Sequence, residues 1–163
     1  MKKALPVIII IAITAGAAWF FLQPREDEAE VIKLELDIIA RQAEDTPTLK
    51  GIPLFSHIRS FKQYVTDDFQ LHIEELNMTI PNKDEFIKKA TQVAPMIPHF
   101  NSNLADYTIT FNEDDSAKVE FTLIIDGQGK NSHYSESRHM QLTMVESGSW
   151  KISKARVIQP QLD

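Results

Sequence analysis

The fold is decided by residues 106–158, DYTITFNEDDSAKVEFTLIIDGQGKNSHYSESRHMQLTMVESGSWKISKARVI. Four runs in this stretch alternate apolar and polar side chains, which is the period-two pattern of half-buried strands. Polar segments rich in Asn, Asp, Ser and Gly separate the runs and favour turns. The sequence therefore predicts an antiparallel meander. The apolar parity changes between Ile152 and Val157, so we expect a β-bulge near Ser153-Lys154.

The preceding chain must supply a second layer, because a sheet with one apolar face is not stable alone. Residues 26–44 carry many charges, and their apolar side chains fall on two adjacent helical rows. This pattern predicts a first helix that ends before Asp45-Thr46-Pro47. The rows, which we expect to form one broad buried stripe, are Val31, Leu34 and Ile38, and Ile32, Leu36, Ile39 and Ala43.

Two more helices and a strand pair are predicted before the meander. Apolar residues from 54 to 65 indicate a short helix, and Asp67-Asp68 is expected to break it. Residues 69–80 then alternate like a strand pair, with a change of parity that marks Glu74-Glu75 as a bulge or the corner of a short hairpin, and Pro81 opens a third helix. The predicted fold class is α+β with one core. Its large members are expected to be Phe55, Phe61, Phe86, Phe121, Leu142 and Trp150.

Residues 4–22, ALPVIIIIAITAGAAWFFL, form an uncharged apolar run. As a helix this run would extend about 28 Å, close to the roughly 30 Å of a hydrocarbon core, so one transmembrane helix is predicted. Lys2-Lys3 precedes the run and acidic residues follow Arg25. The positive-inside rule then predicts residues 1–3 in the cytoplasm and the domain, residues 23–163, outside it, tethered to the cell membrane.

The alternative for this segment is a cleaved signal peptide. Ala15-Gly16-Ala17 fits the small-residue pattern of a cleavage site. The apolar run continues to Leu22, beyond that site, which favours a signal anchor over a cleaved signal.

The composition excludes several classes of function. The chain has no cysteine, which excludes a disulfide, a thiolate nucleophile and a Cys-ligated zinc. The formal net charge is −6, so the basic surface that nucleic acid binding requires is absent and no nucleic acid partner is expected. No metal or other cofactor is expected either, because four histidines lack metal-site spacing. These are His57, His99, His133 and His139.

The order of the predicted elements has a known counterpart. It combines Asp67-Asp68 at the first strand, a short helix after Pro81, and the closing strand GSWKISKARV after the turn at Ser147-Gly148. Together these features resemble the nuclear transport factor 2-like superfamily, with its SnoaL-like and cystatin-like cones. The resemblance covers residues 26–158. It implies a bent sheet that wraps the helices and leaves a pocket at its open end.

The resemblance also implies where a site would lie. Enzymes of this superfamily place an Asp, His or Tyr inside the cone as a general base or oxyanion donor. No catalytic residue is assigned here. By position, the candidates for ligand binding are Tyr64, Asp68, His72, Tyr107, Glu136 and Arg138.

Plainer interpretations compete with these candidates. Glu136 and Arg138 would point into the cone if the third meander strand runs unbroken from Tyr134. Otherwise residues 132–137 belong to a loop and both charges are solvated, which the polar character of the segment favours. His72 has the parity of a solvated strand residue.

Two functions are consistent with the sequence. The first is a non-enzymatic, membrane-tethered binding or assembly domain, favoured because the anchor is clear and no catalytic constellation is present. The second is a small-molecule-binding domain or an enzyme of the isomerase, dehydratase or cyclase-like type that uses the cone pocket. A buried, paired polar group in that pocket would favour the second function, and a pocket filled by Phe and Met side chains would favour the first.

The outer face of the meander suggests a protein partner. It is either an ordinary solvated face or, as in many relatives, the surface of a homodimer, because its short side chains can be buried without stranding charges. These side chains are Thr108, Thr110, Thr122, Ile124 and Thr143.

Overall fold

The computed structural model describes residues 26–128 and 133–158. In chain order its elements are α1 (Glu26–Asp45), α2 (Gly51–Ser60), β1 (Val65–Ile73), β2 (Met78–Ile80), α3 (Lys83–Val93), β3 (Phe100–Phe111), β4 (Ser116–Gln128), β5 (His133–Glu146) and β6 (Trp150–Ile158). The chain divides into two units, residues 1–31 and residues 32–163, and the second unit holds the sheet and most of α1. The predicted span, residues 4–22, lies outside the described residues. Among the helices that are described, none is long and apolar enough to cross a membrane.

The six described strands form one sheet in the order β2-β1-β6-β5-β4-β3. The last four strands are the antiparallel meander that the alternation predicts. β1 extends the meander by pairing in parallel with β6, and β2 folds back on β1 as a short antiparallel partner. The predicted α+β class is therefore confirmed, with a mixed sheet because of the β1–β6 pair.

The bulge predicted in the last strand is present at Ser153. Thr143 pairs with Lys154 while Met144 pairs with Ile152, which leaves Ser153 as the extra residue. The Ser153 hydroxyl donates a hydrogen bond to the Thr143 carbonyl oxygen at 3.1 Å. The bulge returns the apolar side chains of both halves of β6 to one face of the sheet.

β3 begins at Phe100, well before the predicted strand at Tyr107. A bulge divides β3 and interrupts the alternation, so the sequence predicts only the second half. The register against β4 shifts between Ala105 and Thr108, and Asp106 within the bulge has a φ of 57°. Side chains on the concave face are therefore even-numbered before the bulge and odd-numbered after it.

The boundary between α2 and β1 also differs from the prediction. α2 ends at Ser60, and a 3-10 turn leads to Val65, which is the first residue of β1 and not the last of a helix. Asp67-Asp68 consequently lies within the strand, at a register shift against β6, and does not separate two elements. Glu74-Glu75 does form the predicted corner of a hairpin between β1 and β2.

In the described part of the chain, two hydrophobic clusters, not one, hold the helices to the concave face of the sheet. Phe121, Leu142 and Trp150 belong to the larger cluster, and Phe86 packs against both clusters. Phe55 is 46% exposed, so its predicted place in the core is wrong. The smaller cluster, between α2 and α3, consists of Leu54, Ile58, Ile87 and Ala94.

The apolar stripe of α1 is narrower than predicted. Ile32 and Leu36 are buried in the larger cluster. The adjacent row is exposed at Leu34, at 61%, and also at Val31 and Ile38. Only one of the two predicted rows therefore packs on the domain.

Candidate ligand cavity

An open cavity of about 350 Å³ lies between the concave face of the sheet and the helices that cover it. α1 contributes Leu36, Ile39, Ala40 and Ala43 to its wall. The floor consists of inward side chains of β1, β3, β4, β5 and β6, for example Leu123 of β4 and Met140 of β5. A volume of this size falls at the lower end of the range for small-molecule pockets, roughly 300–1,000 Å³. We call this space the main cavity.

The wall of the main cavity carries no charged side chain among the residues described. Tyr64 and Ser102 are the described lining residues with a polar side-chain atom. The Ser102 hydroxyl and backbone N–H both donate to a carboxylate oxygen of Glu44, at 2.7 Å and 2.5 Å. These bonds tie the last turns of α1 to β3 and satisfy the donors of the serine. The lining therefore suits the hydrocarbon part of a ligand.

A second apolar space of about 180 Å³ adjoins the main cavity on the side of α2 and α3. We call it the side recess. Thr46 is its one described lining residue with a polar side-chain atom, and Thr46 is buried. The two spaces share four lining residues, which form a common wall: Ala43, Phe61, Phe86 and Phe100.

Tyr64 is the one predicted ligand-binding residue that lines the main cavity. It lies in the 3-10 turn between α2 and β1, and its ring meets that of Phe61 edge-on with the centroids 6.2 Å apart. The placement of the turn at the start of β1 brings the tyrosine to the cavity.

Asp68 and His72 lie away from the cavity. Both alternate along β1 with Phe69 and Leu71, which face the cavity, so their side chains project from the opposite face of the sheet. Asp68 is exposed, and a ring nitrogen of His72, Nδ1, lies 2.9 Å from the Thr79 hydroxyl on β2. The homodimer expected on this outer face of the sheet stays a prediction.

Tyr107 packs on the concave side but does not line the cavity. Its ring lies against Phe121, with the centroids 5.5 Å apart, and Lys33 Nζ is 5.9 Å from the ring centroid. Burial raises the pKa of Tyr107, and the neighbouring Asp37 carboxylate raises it further. No hydrogen bond of standard geometry reaches the buried hydroxyl from the part of the chain described. Such a tyrosine stays neutral and is unsuited to act as a base at neutral pH.

Glu136 and Arg138 lie in a continuous strand, because β5 runs from His133, and the loop alternative for residues 133–137 is wrong. The Arg138 guanidinium is 3.3 Å from the Glu136 carboxylate and 3.4 Å from that of Glu75. Both glutamates are about half exposed, so these ion pairs are screened by solvent and weak. Neither Glu136 nor Arg138 lines the main cavity.

Several residues that line the cavity are predicted to be buried, but the sequence does not mark them as a cavity wall. Ala40 and Ala43 belong to the buried side of α1, where small side chains leave space, but their size alone does not distinguish a cavity wall from close packing. Phe100 and Ser102 precede the β3 bulge, and their alternation with polar neighbours was the available signal.

Within residues 26–128 and 133–158, no group of three or more His, Asp or Glu side chains is placed to hold a metal ion. No histidine, lysine or carboxylate belongs to the described lining of the main cavity. The arrangement provides binding surface without an acid–base pair.

No protein-family profile matches the chain, and no curated protein matches it by sequence. Solved structures do match its fold. A candidate scytalone dehydratase from Novosphingobium aromaticivorans superposes with a TM-score of 0.69 at 11% identity, over 84% of this chain and 87% of that one. A nuclear transport factor 2-like protein with a cystatin-like fold from the same species gives 0.62 at 14%, over 91% and 90%. The CaMKII hub of S. rosetta gives 0.62 at 10%, over 79% and 94%.

The chain therefore has the nuclear transport factor 2-like, cystatin-like fold that the order of elements predicts. Identities this low establish the fold alone. The matching structures include a candidate enzyme and a hub, so the fold does not determine the function.

Proposed function

We propose that this protein is a non-enzymatic binding domain that holds an apolar small molecule in the main cavity. One observation carries the proposal: the cavity is open, is lined by apolar side chains, and has no charged residue in its described wall. Apolar surface gains about 25 cal/mol per Å² when it leaves water, whereas an ion in such a place would lose its hydration without a partner. The cavity should therefore bind an apolar ligand more tightly than a charged one.

Catalysis has less support. A general acid or base must lie within hydrogen-bond reach of the reacting atoms. Among the described lining residues, Tyr64 and Ser102 offer hydroxyls, and the Ser102 hydroxyl is already bound to Glu44. The ion pair of Glu136 with Arg138 lies outside the lining. An apolar binding site needs none of these groups.

The proposal includes the membrane tether. Residues 4–22 are uncharged and Lys2-Lys3 precedes them, which supports a single span with residues 23–163 outside the cytoplasm. Apolar molecules partition into bilayers, so a tethered domain would meet its ligand at a high local concentration.

A titration with an environment-sensitive naphthalene dye tests the proposal on the fragment of residues 26–163. The dye should brighten on binding. Ala40→Phe places a ring inside the main cavity and should weaken binding at least about tenfold, because the ring excludes two or more ligand carbons that each contribute about 0.8 kcal/mol. Gln92→Phe, which adds the same ring on the exposed side of α3, is the matched control and should leave binding unchanged.

Circular dichroism establishes that each variant is folded before it is titrated. Absence of binding to the wild-type fragment would contradict the proposal. Equal binding by the wild type and Ala40→Phe would place the dye elsewhere and would contradict it as well.

A further inference from the structure

The main cavity and the side recess are adjoining apolar spaces that share a common wall. No charged residue lines either part among the residues described. The lining of both parts is apolar in the described part of the chain. Ser102 lines the main cavity, but its hydroxyl is bound to Glu44. Both parts therefore suit hydrocarbon.

Ala43 has the smallest side chain in the common wall. The other three members of the wall are phenylalanines, and Phe86 is held edge-on against Phe69 with the ring centroids 5.2 Å apart. Ala43, on α1, ends at its Cβ and fills the least volume of the four. A slender ligand would meet the least side-chain bulk beside this residue.

We propose that the ligand carries a single unbranched hydrocarbon chain, which occupies both spaces and passes from one to the other beside Ala43. The terminal carbon of a long chain lies in the side recess. This inference rests on the proposed function and adds the shape of the ligand to it.

The division of the space is the reason to prefer a chain over a ring. A compact ring fills one part and leaves the other empty, so it gains no affinity from the second part. A chain that grows through the wall continues to bury methylenes, and each one raises affinity about fourfold. The affinity of straight-chain alcohols should therefore keep rising beyond the length that fills the main cavity.

Photo-crosslinking locates the end of the chain directly. The full-length protein in lipid nanodiscs is labelled with octanol and with hexadecanol, each with a diazirine at the terminal carbon, and the labelled peptides are identified by mass spectrometry. The short alcohol should label the floor of the main cavity at β4 and β5, around Leu123 and Met140. The long alcohol should label α3 and the turn after it, around Ala90 and Ile97, which line the side recess.

Substitution of the wall residue tests the passage. Ala43→Phe should shift the label of the long alcohol from α3 back to β4 and β5 and leave the short alcohol unaffected. Ala90→Phe places a ring in the side recess from a residue that does not belong to the common wall, and it should give the same shift. This second variant keeps the test valid if Ala43→Phe does not fold. Gln92→Phe on the exposed side of α3 is the control and should change neither pattern.

The outcomes separate this inference from the proposed function. If both alcohols label only β4 and β5 of the wild type, the chain does not enter the side recess and the inference is overturned, while binding in the main cavity stands. If the long alcohol still labels α3 in folded Ala43→Phe, the route beside Ala43 is overturned. If neither alcohol labels either region, both the inference and the proposed function fail.

Discussion

The ring of Tyr134 covers Gly127, its partner across the β4–β5 ladder, so closely that a Cβ on Gly127 would overlap the ring atoms. Any side chain at Gly127 must therefore displace the tyrosine. Gly127 is two residues beyond Ile125, which lines the main cavity. Because Gly127 has no side chain, the Tyr134 ring has room to lie over it at the edge of the cavity floor.

Gly127→Ala should destabilise the domain by up to about 1 kcal/mol, because the added methyl meets the far end of the Tyr134 side chain, which is half-buried and can shift. Urea unfolding followed by circular dichroism measures the loss of stability. Tyr134→Ala provides the control background, because removal of the ring should abolish most of the effect of Gly127→Ala. The same destabilisation in both backgrounds would show that the glycine is needed for another reason.

Phe121 tests the orientation of β4. Its side chain is 5% exposed and lies in the larger cluster, so Phe121→Ala should cost about 3–5 kcal/mol, because it removes buried apolar surface and leaves a cavity. Phe55→Ala removes the same ring from a position that is 46% exposed, and should cost less than about 1 kcal/mol. Chemical denaturation compares the two variants. Similar costs would contradict the burial of Phe121 and the parity of β4.

Glu44 joins the end of α1 to β3 by accepting two hydrogen bonds from Ser102. Glu44→Ala leaves both donors without this acceptor and should destabilise the domain by about 1.5–3 kcal/mol, as expected for bonds to a charged group. Ser102→Ala keeps the N–H donor and should cost less. The free energy of unfolding of each variant shows which substitution destabilises more. A larger destabilisation by Ser102→Ala than by Glu44→Ala would contradict the role given to Glu44.

Acid should weaken two ion pairs at α3. A hydrogen bond from Lys83, followed by its charge, holds the pKa of Asp67 below its ordinary value of 3.8, and Lys62 acts in the same way on the pKa of Asp84. A lowered pKa in the folded state stabilises the protein above pH 3.8 and loses that effect as the pH falls through the folded-state value. The urea midpoint should therefore drop as the pH falls below about 4.

The matched control for this pH dependence is the double variant Lys62→Met with Lys83→Met. Its urea midpoint should depend less on pH in the same acidic window, because neither carboxylate keeps its partner. Both aspartates are solvent-exposed, so the difference should be small. A pH profile identical to that of the wild type would assign the acid sensitivity to other carboxylates.

The meander and the bulge at Ser153 follow from the sequence because burial of one sheet face imposes strict alternation on the strands. The first half of β3 does not follow from the sequence. Asp106 lies in a bulge, so the side chains that face inward have even numbers from Phe100 to Leu104 and odd numbers from Tyr107 to Phe111. The alternation in one short half does not reveal where the other half lies. A bulge is visible in a sequence only when both flanking halves have been recognised as strand.

The cavity is less predictable still. Its wall brings Ala43 of α1 together with Phe100 of β3 and Phe61 before β1, and no local pattern links these positions. Whether apolar side chains leave a space depends on how several elements pack in three dimensions. The sequence can predict that these residues are apolar and partly buried, but the open volume between them is a property of the fold.

Methionine methyl resonances test the central claim most directly. Met140 lines the main cavity, whereas Met96 is 74% exposed in the turn after α3. In protein labelled with carbon-13 at the methionine methyls, added decanol should shift the Met140 resonance in a saturable manner and leave that of Met96 in place. An unchanged Met140 resonance, or equal shifts of both, would contradict the binding of an apolar ligand in the main cavity.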